Sequence, residues 1–275
     1  MQKVLVTGAN GMLGQDLCPI LEDNGYIVTE TDIDTLDLTK GNDVENFVKD
    51  LKPDIVIHCA AYTAVDKAEE ESDRAELINV KGTENIAKIS GELDIPIVYI
   101  STDYVFDGTK PTPYEPDDIT NPQTVYGKTK LLGENAVKSY CKKYYIARTS
   151  WLYGHHGKNF VETMISLAEK GNEIKVVDDQ IGCPTWTVEL ANGIVKLFSK
   201  PYGTYHVCGS GETSWYGFAK EIFSQTGMNE VKLSPCTTEE FPRPAKRPKY
   251  SVMDNQKICR NWKAALHDYV ELRNF

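Results

Sequence analysis

The segment Thr7-Gly8-Ala9-Asn10-Gly11-Met12-Leu13-Gly14 follows the apolar run Val4-Leu5-Val6 directly, and its glycines at 8, 11 and 14 stand in the spacing G-x-x-G-x-x-G. No other feature constrains the fold as much. Gly8 allows a tight turn out of the strand, Gly11 lets the backbone approach a pyrophosphate, and Gly14 lets the following helix lie close on the sheet. Free N–H groups at the helix start attract the phosphate charge. A glycine triplet alone also suits a plain strand–helix turn, but its place after the first strand argues for the phosphate loop. Asp32 lies 18 residues beyond Gly14, at the end of the second strand. An acid there accepts hydrogen bonds from an adenosine ribose, which favours an unphosphorylated 2′-OH and hence NAD(H). Asp34 and Asp37 compete for that role, Asp37-Leu38 alternatively contacts the adenine region, and NADH and NADPH both stay open as cofactors.

The rest of the first 150 residues repeats the same alternation. Short, mostly β-branched runs at Val4–Val6, Ile27–Val28, Asp54–Ile57, Ile97–Ile100 and Tyr144–Ala147 read as strands buried on both faces. Helical stretches at Met12–Asn24, Val44–Leu51, Ala75–Leu93 and Gly127–Lys142 separate them. Right-handed βαβ crossovers and an α/β fold with a doubly wound, Rossmann-like parallel sheet follow. Beyond residue 150 the regularity fades into Gly- and Pro-rich loops between helices near Val188–Ser199 and Tyr216–Gly227. Trp262, Ala265, Leu266, Tyr269 and Val270 have the spacing of a docked last helix over Asn261–Asn274. We expect a dinucleotide-binding domain over 1–150 and a smaller C-terminal substrate-binding lobe over 151–275, some of whose segments return to the sheet.

Composition excludes several classes. With 30 Lys+Arg against 40 Asp+Glu the formal charge is −10, which disfavours nucleic acid or an anionic membrane surface as a partner. The N-terminal apolar run is far short of a signal-peptide core or a membrane span, so the chain reads as cytoplasmic. Seven cysteines with no C-x-x-C pair suggest neither zinc nor disulfides, but buried reduced thiols.

The chemistry concentrates at two places. Ser101-Thr102-Asp103 ends the fourth strand, and Tyr126 and Lys130, four residues apart, share one face of a later helix. A nearby ammonium favours ionisation of a phenol, and Lys130 also suits a grip on a nicotinamide ribose. Thr102 can hydrogen-bond a carbonyl oxygen on which charge accumulates. A Tyr-x-x-x-Lys pair by itself is common on exposed helices. Together with the glycine loop and Thr102, it resembles the extended branch of the short-chain dehydrogenase/reductase superfamily.

Cys59-Ala60-Ala61-Tyr62-Thr63-Ala64-Val65-Asp66, Ser101-Thr102-Asp103-Tyr104-Val105-Phe106-Asp107-Gly108, Tyr126-Gly127-Lys128-Thr129-Lys130, Arg148-Thr149-Ser150-Trp151 and Arg247-Pro248-Lys249-Tyr250-Ser251 narrow the resemblance to the dTDP-4-dehydrorhamnose reductase family, over nearly the whole chain. That family reduces the C4 ketone of dTDP-4-dehydro-L-rhamnose with NAD(P)H, giving dTDP-L-rhamnose. The resemblance implies that Gly11, Met12 and Leu13 meet the pyrophosphate, Asp32 the ribose, and Ala61, Tyr62 and Thr63 the cofactor. It makes Tyr126 the acid and gives Lys130 the ribose and the tuning of Tyr126. Thr102 and Asp103 fall near C4 of the sugar, Trp151 against the sugar or its nucleotide, and Asn79 in a water or backbone anchor. Dehydratases of the extended branch follow the strand-four Thr with Asp-Glu. Here Tyr104 replaces the second acid, against water elimination.

Other residues have plainer readings. Trp186, Trp215 and Trp262 stay unassigned, since large aromatics mostly fill cores, while His155-His156 read as a solvated loop and Glu69-Glu70-Glu71 as an exposed face. Arg243, Lys246, Arg247 and Lys249 face either water or a sugar diphosphate. The resemblance brings in a homodimer and Mg²⁺, for which Asp16 and Glu189 are the candidate ligands, though the residue pattern itself names no metal site. Two other functions compete with the reductase: a non-catalytic regulatory subunit of a methionine adenosyltransferase, and a nucleotide-sugar epimerase with retained NAD⁺.

Overall fold

The computed structural model describes residues 1–171 and 173–273. The first half runs β1 (Lys3–Thr7), α1 (Met12–Asp23), β2 (Ile27–Thr31), α2 (Gly41–Leu51), β3 (Ile55–His58), α3 (Val65–Ala68), α4 (Ser72–Glu76), a π-helix (Leu77–Gly82), α5 (Thr83–Glu92), β4 (Ile97–Thr102), α6 (Val125–Tyr140) and β5 (Tyr144–Thr149). The second half runs β6 (Leu152–Tyr153), α7 (Phe160–Glu169), β7 (Ile174–Val177), β8 (Ile181–Gly182), β9 (Thr185–Trp186), α8 (Thr187–Leu197), β10 (Gly203–His206), β11 (Thr213–Ser214), α9 (Trp215–Gln225), β12 (Leu233–Cys236) and α10 (Trp262–Leu272). Asn274, the last residue of the expected terminal helix, lies outside the described residues.

Six strands form one parallel sheet in the order β10-β5-β4-β3-β1-β2. The period-2 alternation of side chains divides it into two cores. Val4, Val6, Ile55 and Ile57 pack towards α1 and α8. Leu5, Val56, Ile97 and Ile146 pack on the other face with α2, α5 and α6. Burial on both faces is why the strands read as continuous apolar runs. The chain leaves β1 towards β2 on one side and returns to β3 on the other, so a crevice opens beyond the carboxyl ends of β1 and β3.

The C-terminal part adds to this sheet and also builds its own core. β10 pairs with β5 at the sheet edge, and α8 contributes Leu190, Ala191, Ile194 and Leu197 to the core over α1. Tyr153, Val161, Ile165, Trp186, Phe218, Ile222, Trp262 and Leu266 form a separate apolar cluster among α7, α9 and α10. Six of the seven cysteines are buried and all are free. Among the described residues no helix is long and apolar enough to cross a membrane.

Two elements differ from the sequence expectation. The stretch read as one helix over Ala75–Leu93 is broken by the π-helix, which inserts an extra residue into the turn and carries Asn79 fully buried. The helix α7 follows Asn159, whose side chain caps it by accepting from the N–H of Glu162.

Candidate active site

A cleft of about 800 Å³ lies across the ends of β1, β3, β4 and β5. At one end the glycine loop forms its floor, with Gly8, Gly11, Met12, Leu13 and Gly14 all lining it. Gly11 precedes α1 without a side-chain cap, so the first-turn N–H groups are left to whatever the cleft holds. A Cβ on Gly14 would stand 2.4 Å from the carbonyl oxygen of Ala9, a backbone atom that cannot swing aside. Gly14→Ala is therefore expected to push α1 off the loop and weaken NAD(P)H binding at least about tenfold, the equivalent of ~1.4 kcal/mol; a fluorescence titration of the reduced dinucleotide checks it, and unchanged affinity would refute the close-approach argument.

Asp32, Asp37 and Leu38 line the neighbouring wall. Asp32 accepts the backbone N–H of Asn10 at 3.0 Å and of Ile33 at 2.8 Å, which fixes its carboxylate beside the loop. Asp37 is committed to Thr39, whose hydroxyl at 2.7 Å and backbone N–H hold its carboxyl below the usual range. Ala61 and Thr63 line the cleft after β3, whereas Tyr62 is not among its lining residues. The Tyr62 hydroxyl turns to Glu71 at 2.8 Å. Its backbone serves the site instead: Asn79 accepts the Tyr62 N–H at 2.7 Å and donates to its carbonyl at 3.1 Å. Asn79 also donates to Thr129, whose hydroxyl donates to the Tyr126 carbonyl, so one buried amide ties the loop after β3 to the first turn of α6.

Thr102, Asp103, Tyr126, Lys130 and Trp151 meet at the other end of the cleft. The α6 N-cap, Thr124, accepts the Gly127 N–H and so starts the helix with Tyr126 in its first turn. Burial pushes the Tyr126 phenol up to about 12; the Thr102 hydroxyl opposes this and Asp103 reinforces it. The phenol is therefore protonated at neutral pH, the form a proton donor requires. Lys130 is pulled down to about 7 by burial, against the charge of Glu134 and the Cys59 thiol. Its ammonium lies 4.1 Å from the ring centre of Tyr99, a cation–π contact. Burial, Thr102 and Asp103 set the phenol in this structure.

Beneath these residues lies a buried ion pair. Glu134, one turn beyond Lys130, receives two hydrogen bonds from Arg148 at 2.9 and 2.8 Å and one from Ser101 at 2.6 Å. Arg148 also donates to the Pro116 carbonyl at 2.9 Å. Burial pushes the Glu134 carboxyl up, but the Arg148 guanidinium and Ser101 hold it below the usual value. The pair locks α6 to β4 and β5, the two strands whose ends carry Thr102 and Trp151.

Sequence reasoning missed two participants. Trp215 stacks on Trp151 with ring centres 3.6 Å apart and planes 5° from parallel, and both line the cleft. Trp151 takes φ +46°, a left-handed backbone that is costly for a bulky residue. A Cβ on Gly182 would stand 2.5 Å from the Trp151 indole, so only glycine leaves room for the ring. His58 is the second: Thr7 lies 2.8 Å from Nδ1 and Thr83 lies 3.0 Å from Nε2. Thr83 donates to the Asn79 carbonyl, so Nε2 carries the proton and Nδ1 accepts from Thr7. Burial, then the Lys130 charge, lower His58 to about 3. A histidine closing an apolar strand was the only sequence signal for it.

Other sequence readings change on contact with the structure. Glu69 accepts the Val125 N–H and Glu71 the Tyr62 hydroxyl, so two of the three consecutive glutamates brace the site. His155 stacks on Tyr269 at 4.2 Å, while His156 faces Asp16 at 3.3 Å. Of the basic cluster only Arg247 lines the cleft, held by Asp66 at 3.1 Å and donating to the Tyr104 hydroxyl at 3.2 Å. Asp16 receives the Thr187 hydroxyl, and Glu189 is paired with Arg260 at 2.7 Å. Among the described residues no group of three or more His, Cys, Asp or Glu could hold a metal ion, so these acids do not fit a Mg²⁺ site within one chain.

Residues 1–273 match the model of the RmlD substrate binding domain. The chain belongs to the dTDP-4-dehydrorhamnose reductase family. Among members of this family with solved structures, a dTDP-4-dehydrorhamnose reductase from Clostridium acetobutylicum is 51% identical, with a TM-score of 0.95 over 98% of this chain and 99% of that one. A second, from Bacillus anthracis in complex with NADP, is 44% identical, with a TM-score of 0.94 and 98% of both chains covered. The spore coat polysaccharide biosynthesis protein SpsK of Bacillus subtilis is 45% identical over 100% of this chain and 99% of its own length. The family resemblance read from the sequence motifs and the parallel Rossmann-like sheet are both confirmed.

Proposed function

We propose that the protein reduces the C4 ketone of dTDP-4-dehydro-L-rhamnose to dTDP-L-rhamnose with NAD(P)H. The observation that carries this is the meeting of Thr102, Tyr126 and Lys130 with the glycine loop in a single cleft. The uncapped start of α1 and the close packing at Gly14 fit a dinucleotide pyrophosphate. Bound NAD(P)H supplies the hydride. Tyr126 donates its proton to the C4 oxygen as charge accumulates there, Thr102 hydrogen-bonds the same oxygen, and Lys130, charged next to an anionic cofactor, holds the ribose. Trp151, Leu152, Lys158, Trp215 and Arg247 supply the cleft wall beyond residue 150. We assign that wall, and with it the 151–275 part, to the sugar nucleotide; Arg247 and Lys158 suit its diphosphate and the two indoles suit a sugar or base face. Two water-soluble anions as reactants support a cytoplasmic reaction.

The test offers dTDP-4-dehydro-L-rhamnose with NADH or NADPH and follows loss of the reduced-nicotinamide absorbance with product identification. No turnover on this or related nucleotide 4-keto sugars would end the reading. The placement of Asp32 supports use of NADH, because a 2′-phosphate beside its carboxylate is repelled. Asp32→Ser is expected to raise the NADPH/NADH ratio of kcat/KM about tenfold, since a charge-assisted hydrogen bond is worth roughly 1.5–3 kcal/mol. An unchanged ratio would remove Asp32 from the ribose site.

A further inference from the structure

The Thr102 hydroxyl donates to Asp103 Oδ1 at 3.0 Å and faces the Tyr126 phenol. Asp103 is 1% exposed, yet it lines the cleft, and its second oxygen, Oδ2, makes no hydrogen bond of ordinary length within the chain, the Ser251 hydroxyl acting on the carboxyl from further off. A buried carboxylate with an orphaned oxygen is costly unless that oxygen meets a ligand or holds a proton. We propose that Asp103 is the proton store for Tyr126, working through Thr102, and not only a sugar contact.

The proposal rests on the reductase reading, in which Tyr126 gives up its proton in each turnover and must be resupplied. The steps balance. Hydride forms the new C4–H bond, and the C4 oxygen takes the proton of Tyr126. In the same step the phenol oxygen takes the Thr102 hydroxyl proton, and Thr102 takes the carboxyl proton of Asp103, which in its loaded form donates to the Thr102 oxygen. Asp103 is left as a carboxylate and recovers a proton from water when product leaves.

Burial pushes the Asp103 carboxyl up to about 6, against the hydroxyls of Ser251 and Thr102 and the backbone N–H groups of Asp103 and Tyr104. The titratable groups facing it are Tyr104 on its own turn, Tyr126 on α6 and the Cys208 thiol beyond β10, with the Arg247–Asp66 pair reached through the Tyr104 hydroxyl. None of these is a fixed cation in contact with Asp103. A carboxyl with a raised value is loaded below that value and emptied above it. Reduction should therefore slow as pH rises through the Asp103 ionisation, which the anionic cofactor and sugar diphosphate shift further upward.

The test is Asp103→Asn, which keeps the shape and the contact to Thr102 but cannot supply the proton. We expect kcat for the keto sugar to fall about 10–100-fold, KM to stay within about threefold, and the alkaline fall of the wild-type kcat profile to disappear. A variant that changes KM while keeping kcat and the wild-type pH profile would overturn the relay and leave Asp103 as a sugar contact. A proton inventory on single-turnover reduction by the wild type is independent of whether the variant folds. A bowed dependence on deuterium fraction supports several protons in flight, and a linear one overturns the relay. Wild-type protein inactive on every 4-keto sugar would instead end the reductase reading itself.

Discussion

Tyr126→Phe is expected to lower kcat for reduction by about 10²–10⁴-fold, the range by which a positioned acid accelerates proton transfer. The ring itself should be kept, because it packs edge-on against Tyr104 at 5.6 Å and phenylalanine preserves that contact. Binding of the reduced dinucleotide and the thermal midpoint should hence change little, while the chemical step fails. The sign of the pH effect also follows. Burial first, then Asp103, raise the phenol to about 12 despite Thr102, so reduction loses nothing at neutral pH to ionisation of this acid. Turnover of the variant at near the wild-type rate, measured by nicotinamide absorbance, would show that the proton comes from elsewhere.

The largest effect on stability is expected at Arg148, which is 2% exposed. Arg148→Met leaves Glu134 charged in the core with only Ser101 and the more distant Lys138, and strips the Pro116 carbonyl of its donor. Breaking a buried pair from one side costs roughly 3–5 kcal/mol. At roughly 2–4 °C per kcal/mol for larger domains, the thermal midpoint should fall by roughly 6–20 °C. Pairing it with Glu134→Leu should recover much of the loss, because the desolvated charge is then gone as well. Glu134 is held below its unfolded value, so its contribution is full above about 4.3 and is lost as pH falls through the folded value. A single variant as stable as wild type by calorimetry would mean the pair does not brace the site.

The strand starts and the glycine loop were legible because burial on both faces writes itself as continuous β-branched runs, and because a pyrophosphate turn tolerates only small residues at fixed spacing. Val4–Val6, Ile97–Ile100 and Gly8, Gly11 and Gly14 all sit where those rules put them. Tyr126 and Lys130 were legible through their helical spacing taken together with the glycine loop and Thr102. Trp215 was not, since an indole 64 residues after Trp151 has the same local pattern whether it fills a core or faces a ligand. The pairings of His58, Glu134 and Arg148 were not legible for a similar reason: each looks like an ordinary residue at the end of a strand or on a helix until its partner arrives.

Local chemistry in the chain thus determined the parallel sheet, the glycine turn and the proposal of Tyr126 as proton donor, because each depends on short-range spacing and on what a backbone can do at one place. The tertiary structure decided which groups act on that donor. The protonation of Tyr126, the lowered value of Lys130 and the orphaned oxygen of Asp103 all come from burial and from neighbours far away in sequence. Desolvation and pair geometry are properties of the packed interior, and no window of sequence contains them.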